Sequence, residues 1–366
     1  MWAVSWHMVS TLSSRVLKNL MQNPRELSER KVAILRALVQ LYIRTGEPVG
    51  SEALASVAGL GVSSATIRNE LGALEEMGYL TQAHTSAGRA PTDLAYRSYV
   101  DMLPARPKLR EVERKAIVHF FDEALADVDD ILRGTTHLLS RLTRYASLAL
   151  APSQRESAIA RAELVRLGTA TLLLVVFDTG QVDKRLVEMP PDATDEQVDG
   201  ISRAMTETFR GKTLAAACDQ AAERSRRGED PERTIMSRVG EALKSIDEAT
   251  EAEHVFMGGV ANIAAEEAFN RRETLRQVYE ALEHESAVLR LLREAAANAP
   301  LGVVIGRENT MPEMWEASVV AAPFAAGGAV GSIGVVGPLR MDYAAAISAV
   351  RAVAERLSAA VEALAH

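Results

Sequence analysis

Ser63, Ser64, Thr66, Arg68 and Asn69 fall within one seven-residue stretch, and their types and spacing suit the recognition of duplex DNA. In the major groove, Arg bonds bidentately to guanine and Asn to adenine. Ser and Thr hydroxyls, with the free backbone N–H groups of a helix's first turn, suit phosphate. A second group, His84, Ser86 and Arg89, surrounds the turn-forming run Thr85-Ser86-Ala87-Gly88 and suits phosphate or the minor groove. Taken singly, these residues have plainer roles: Ser63 as a cap, Arg68 as a solvated cation, Gly72 packed against a neighbour. Their arrangement in one frame points to DNA. No catalytic constellation accompanies them. The seven histidines show no metal-ligand spacing, and neither HExxH nor GxSxG occurs. The glycine-rich 325–331 run lacks the Lys-Ser/Thr ending of a phosphate loop and reads as a hairpin between two strands. Neither an enzyme activity nor a cofactor or metal is expected.

The elements that must position these residues lie between Leu27 and Leu103. A first helix follows Ser28, a suitable N-cap, with Leu35, Leu38, Val39 and Tyr42 on one face. Gly46 and Pro48 end it. A short helix runs from Ser51 to about Ala58, and Gly59 and Gly61 make the turn. The third helix opens at Ser63-Ser64 and turns Ile67, Leu71 and Leu74 inward. Ala65, Asn69 and Gly72 then face outward, with Arg68 on the flank. Tyr79 to His84 and the residues from Arg89 onward, limited by Pro91, make a hairpin. Helix, short helix, turn, helix and hairpin give a winged helix-turn-helix, whose third helix enters the major groove N-terminus first.

The segments that carry this pattern, Glu47-Pro48-Val49-Gly50-Ser51, Gly61 to Glu70, Leu74 to Leu80 and His84 to Asp93, resemble the HrcA family of heat-inducible repressors, as does Gly334 to Tyr343 near the other end. The resemblance implies a dimeric repressor reading an inverted-repeat operator of chaperone genes, helped to its active form by the chaperonin GroEL. Heat would then deplete the active form. The expected partners are double-stranded DNA, a second copy of the chain and GroEL, in the cytoplasm and without a membrane. An alternative is a winged-helix repressor gated by a small molecule in a GAF-like domain.

Charge bounds the kind of DNA binding. The chain carries a formal net charge of −8, and within 21–103 eight Lys or Arg face nine Asp or Glu. A sequence-blind, phosphate-driven binder is basic. Reading a defined operator is still compatible, provided Arg68, Arg89 and Arg97 face the DNA while Glu52, Glu75 and Glu76 face away. The lone Cys218 excludes an intramolecular disulfide and a cysteine-cluster metal site, and its alanine-rich surroundings make it a buried thiol. No apolar run is long enough to span a bilayer, and Thr171 to Phe177 reads as a buried strand.

An α+β chain results, with these expected divisions. Residues 1–20 form a non-structural extension ahead of Met21, without the features of a signal peptide. Residues 21–103 form the winged helix and 104–107 a stiff linker. Strands, a helical block and further strands then point to one domain interrupted by another. The resemblance implies a GAF-like domain, 108–191 and 263–366, carrying a dimerisation domain at 192–262. Within it, Leu109 to Leu142 suits one long helix or two, with Gly134 a weak point. Glu223 to Asp230 reads as a solvated loop.

Overall fold

The computed structural model describes residues 27–56, 60–82, 88–122, 128–152, 157–168, 170–191, 193–249, 255–265, 272–296, 300–326 and 329–364. The chain forms two compact units. The first comprises the residues up to Pro107 together with Ile305–Glu316 and Pro338–Ala344, and the second holds the remainder.

In the first unit, α1 (Glu29–Thr45) starts where the Ser28 side chain accepts from the Lys31 N–H, and ends at Gly46 in the left-handed conformation. Ile34, Leu35, Leu38 and Val39 are its buried face. Helix α2 (Ser51–Ala55) is short. The Ser63 hydroxyl caps α3 (Ser64–Glu76) by accepting the Thr66 N–H at 3.2 Å, and Ile67, Leu71 and Leu74 are buried as their spacing predicts. Strands β1 (Leu80–Gln82) and β2 (Arg89–Pro91) pair antiparallel, and Val49 exchanges two 2.9 Å backbone hydrogen bonds with Arg89 at the hairpin's root. A further helix, α4 (Asp93–Asp101), buries Ala95, Tyr96 and Tyr99 on one periodic face.

A carboxylate lies on the inner face of α3. Glu70 is buried, its Oε1 accepts from Arg30 Nε at 2.6 Å, and Lys31 Nζ stands 2.8 Å from Oε2. The hydrogen bond from Lys31, aided by Arg30, holds the Glu70 carboxyl below its ordinary value despite burial. The pair ties α1 to α3 by charge as well as by apolar packing.

The returning segments complete the unit. Arg97 Nε donates to Glu308 Oε1 at 2.8 Å and its Nη2 reaches Oε2, giving a two-armed contact. The Arg307 N–H donates to Asp93 Oδ2 at 3.0 Å. The Tyr96 and Tyr343 rings lie 5.8 Å apart, and the Tyr343 hydroxyl donates to the Leu339 carbonyl at 2.7 Å. Met311, Met314 and Met341 are buried.

The second unit begins with α5 (Glu111–Asp122) and α6 (Val128–Thr143), two helices rather than one. Gly134 lies inside α6 and is no weak point, because a Cβ there would come within 2.8 Å of the Phe120 ring. Strand β3 (Ala146–Leu150) precedes a three-stranded antiparallel sheet of β4 (Ile159–Leu167), β5 (Ala170–Phe177) and β6 (Val182–Val187). Helices α7 (Asp195–Phe209), α8 (Leu214–Arg227) and α9 (Glu232–Ala249) follow. Then come β7 (Val255–Gly258), α10 (Ala261–Ala265), α11 (Arg272–Glu283), α12 (Glu285–Ala296), β8 (Gly302–Ile305), β9 (Ala317–Ala326), β10 (Ala329–Pro338) and α13 (Tyr343–Leu364). A five-stranded sheet runs in the order β7-β3-β10-β9-β8, so the glycine-rich run does join adjacent strands.

Two sequence expectations are corrected. A division at 191/192 would cut one hydrophobic core: Leu173, Val175 and Phe177 of β5 pack in the same cluster as Met205 and Phe209 of α7 and Val239 and Leu243 of α9. The body inserted between β3 and β7 therefore spans β4 to α9, and β7, read as helical, belongs to the larger sheet. The Glu223–Arg227 stretch is helix rather than loop. Arg224, Arg226 and Arg227 sit in the last turn of α8, where cations meet the negative end of the helix dipole. Cys218, expected to be buried, is half-buried against the inserted core, and that burial pushes its thiol up.

Two outcomes follow from the packing of the first unit. Glu70→Gln is expected to lower the exchange free energy of protected α1 and α3 amides by about 1 kcal/mol at pH 7, a modest figure because Arg30 is open to water. A lowered carboxyl contributes stability above its unfolded value, near 4.5, and loses it as pH falls through the lower folded value. The wild-type advantage should therefore shrink under acid, as hydrogen exchange at pH 7 and below pH 4.5 would record. Arg97→Ala should accelerate exchange across 306–316 about tenfold or more, since it leaves the Glu308 carboxylate half-buried without its fork.

Candidate nucleic-acid interface

Helix α3 is fixed on its inner side and open on its outer side. Glu70, Ile67, Leu71 and Leu74 are buried, whereas Ala65, Arg68 and Asn69 are exposed. Among the described residues, neither the Arg68 nor the Asn69 side chain has a hydrogen-bond or ion-pair partner. At the helix start, Ser64 Oγ donates to Ser51 Oγ at 3.1 Å, which ties α3 to α2. Ser63 Oγ lies 2.9 Å from Thr66 Oγ1. Ser63 and Thr66 thus remain near the entering end, while Ser64 also serves as a brace. A Cβ built on Gly72 would meet nothing within 4 Å, so this glycine does not serve to pack against a neighbour within the described chain.

The electrostatic expectation holds only in part. Arg68 is solvent-facing, but Arg89 Nε donates to Glu75 Oε2 at 2.8 Å, both side chains being partly exposed. Glu75 therefore does not face away; it neutralises the root of the wing. Arg97 does not project outward either, because Glu308 and Asp101 hold it. Glu52 and Glu76 are exposed. His84 and Ser86 lie outside the described residues.

The acidic partners were hard to read from sequence. Glu70 occupies an inward position that periodicity assigns to apolar residues. Glu308 lies 211 residues from the arginine it holds. Among the described residues no group of His, Cys, Asp or Glu is arranged to hold a metal, and no helix is long and apolar enough to cross a membrane.

Residues 26–101 match the family model for the winged helix-turn-helix transcription repressor, HrcA DNA-binding domain, and residues 129–347 match that for the HrcA protein C-terminal domain. The chain is 41% identical over 328 residues to the heat-inducible transcription repressor HrcA of Mycobacteroides abscessus, covering 89% of this chain and 96% of that protein. It is 42% identical over 331 residues to the protein of the same name from Thermobifida fusca, covering 90% and 95%. A crystal structure of a hypothetical protein superposes with a TM-score of 0.65 at 24% identity, covering 93% of this chain and 100% of the other, which shows the shared fold. The relatives carry the name of a transcription repressor and not of an enzyme. With an α+β fold that opens on a winged helix and matches to both family domains, this chain belongs to the heat-inducible transcription repressor HrcA family.

Proposed function

We propose that two copies of this chain read the two arms of an inverted-repeat operator of chaperone genes, each through the outer edge of α3. The carrying observation is the contrast between the two sides of that helix. Its inner side is locked by apolar packing and by the Glu70 pair, while Arg68 and Asn69 project without partners. Ser63, Ser64 and Thr66 at the entering end supply phosphate contacts, and Arg89 with His84 and Ser86 supplies those of the wing. A twofold dimer matches a palindromic site.

One face of the inserted sheet supports the dimer. Leu173, Val175 and Phe177 of β5 point into the core, so Leu172, Leu174 and Val176 point the other way. On that outer face Val165, Leu172 and Leu186 form one cross-strand row, and Glu163, Leu174 and Lys184 the next. Leu186 is 72% exposed, and Leu167 and Val182 are also open. A second copy would cover this stripe, and a twofold axis near Leu174 would bring Glu163 of one copy to Lys184 of the other. The interface thus falls on β4–β6 rather than on the helical 192–262 block.

Heat acts on a narrow stability margin, since one or two kcal/mol changes the active fraction severalfold. The winged-helix unit borrows residues 305–316 and 338–344, which run directly into β8, β9, β10 and α13. Loss of those strands would withdraw Arg97's partner from the DNA-binding unit. GroEL, which the resemblance implies, would restore the active form.

Fluorescence anisotropy with an inverted-repeat chaperone-promoter duplex and a scrambled duplex tests the reading, with and without GroEL and ATP. Selective binding strengthened by GroEL is expected; tight binding to both duplexes would contradict it. Arg68→Ala should cost about 1–3 kcal/mol on the operator and little on the scrambled duplex. Leu186→Asp should shift the chain toward monomer in sedimentation while its far-ultraviolet circular dichroism stays unchanged.

A further inference from the structure

We propose that a cleft of about 450 Å³ in the winged-helix unit, beside the root of the wing, binds a small organic cation with a flat apolar body. Its volume falls in the range of small-molecule sites. The cleft runs between the junction of β2 with α4 and the returning segment 305–316.

Its walls supply both halves of such a ligand's recognition. Leu94, Leu339 and the Trp315 indole provide the apolar surface, and Trp315 is 40% exposed. The indole is held in place by its Nε1, which donates to the Asn309 carbonyl at 3.3 Å, and by the Arg307 guanidinium 5.3 Å from the ring centroid. A fixed aromatic plane of this kind favours a flat partner.

Charge selects the sign. Asp93, Glu308 and Glu316 line the cleft against the single cation Arg307. Glu308 is neutralised by Arg97, but among the described residues Asp93 and Glu316 have no ion pair. Asp93 is fixed rather than free to swing away: its Oδ2 accepts from the Arg307 N–H at 3.0 Å and lies against Gly306, where a Cβ would come within 2.5 Å of that oxygen. Burial raises the Asp93 carboxyl, an effect that the Arg307 N–H and charge offset only in part and to which the Glu308 charge adds. An amidinium or ammonium head would relieve that cost, and an amidinium can pair with a carboxylate in two parallel hydrogen bonds.

The test is a fluorescence titration of the full chain with 4-aminobenzamidine, and with 4-aminobenzoate as the anionic counterpart of similar shape. We expect saturable one-to-one binding of the amidine and none of the benzoate. Asp93→Asn, which keeps the shape and the acceptor for Arg307, should weaken binding about tenfold or more. Glu316→Gln, which lies outside any helix, supplies a second reading if Asp93→Asn disturbs the fold by circular dichroism. Absence of saturable amidine binding, equal binding of the benzoate, or undiminished affinity in folded Asp93→Asn or, failing that, in Glu316→Gln overturns the proposal.

Discussion

The two-armed contact between Arg97 and Glu308 is the interaction on which the first unit depends, because it joins residues that are far apart in the chain. A short winged helix has little core of its own, and small domains bury a small share of their surface. Here the deficit is met by segments returning from beyond residue 300. Glu308 takes the α4 arginine, Arg307 donates its backbone N–H to Asp93 at the start of the same helix, and Tyr343 lies against Tyr96. Helix α4 packs in turn on α1, so α3 rests on a base to which both ends of the chain contribute.

This arrangement also reconciles an acidic chain with DNA recognition. Acidic side chains near α3 are spent on internal cations: Glu70 on Arg30 and Lys31, Glu75 on Arg89, Glu308 on Arg97. What remains open on α3 is Arg68 with the amide of Asn69 toward its start, and Glu76 at its far end. A surface of that kind has little to offer a phosphate backbone at large and more to offer particular base edges. It fits selective binding with weak non-specific affinity rather than the coating of DNA by charge.

Local patterns were legible in the sequence where a short-range rule governs the outcome. The Ser28 and Ser63 caps, the Gly46 stop, the apolar faces of α1 and α3 and the β9–β10 hairpin each rest on a few neighbouring residues. Long-range pairing was not legible. Nothing near Arg97 announces Glu308, so a cation that looked available for DNA is in fact a structural one. Residues 192–262 read as a separate helical body because their own periodicity is mostly helical, although the buried face of α7 to α9 needs β4–β6 as its partner. Of the eight site residues named from sequence, Arg68 and Asn69 stand open. Ser63, Ser64, Thr66 and Arg89 each make an internal contact, and His84 and Ser86 lie outside the described residues.

The most direct test of this account compares hydrogen exchange in residues 27–107 expressed alone with the same residues in the full chain. The opening of each helix is read amide by amide. If the returning segments complete the winged-helix unit, the α4 amides should lose protection in the fragment by about tenfold or more, while the capped helices α1 and α3 keep a larger share of theirs. Equal protection of α4 in fragment and full chain would show that the winged helix stands alone, and would remove the Arg97–Glu308 contact from the centre of the structure.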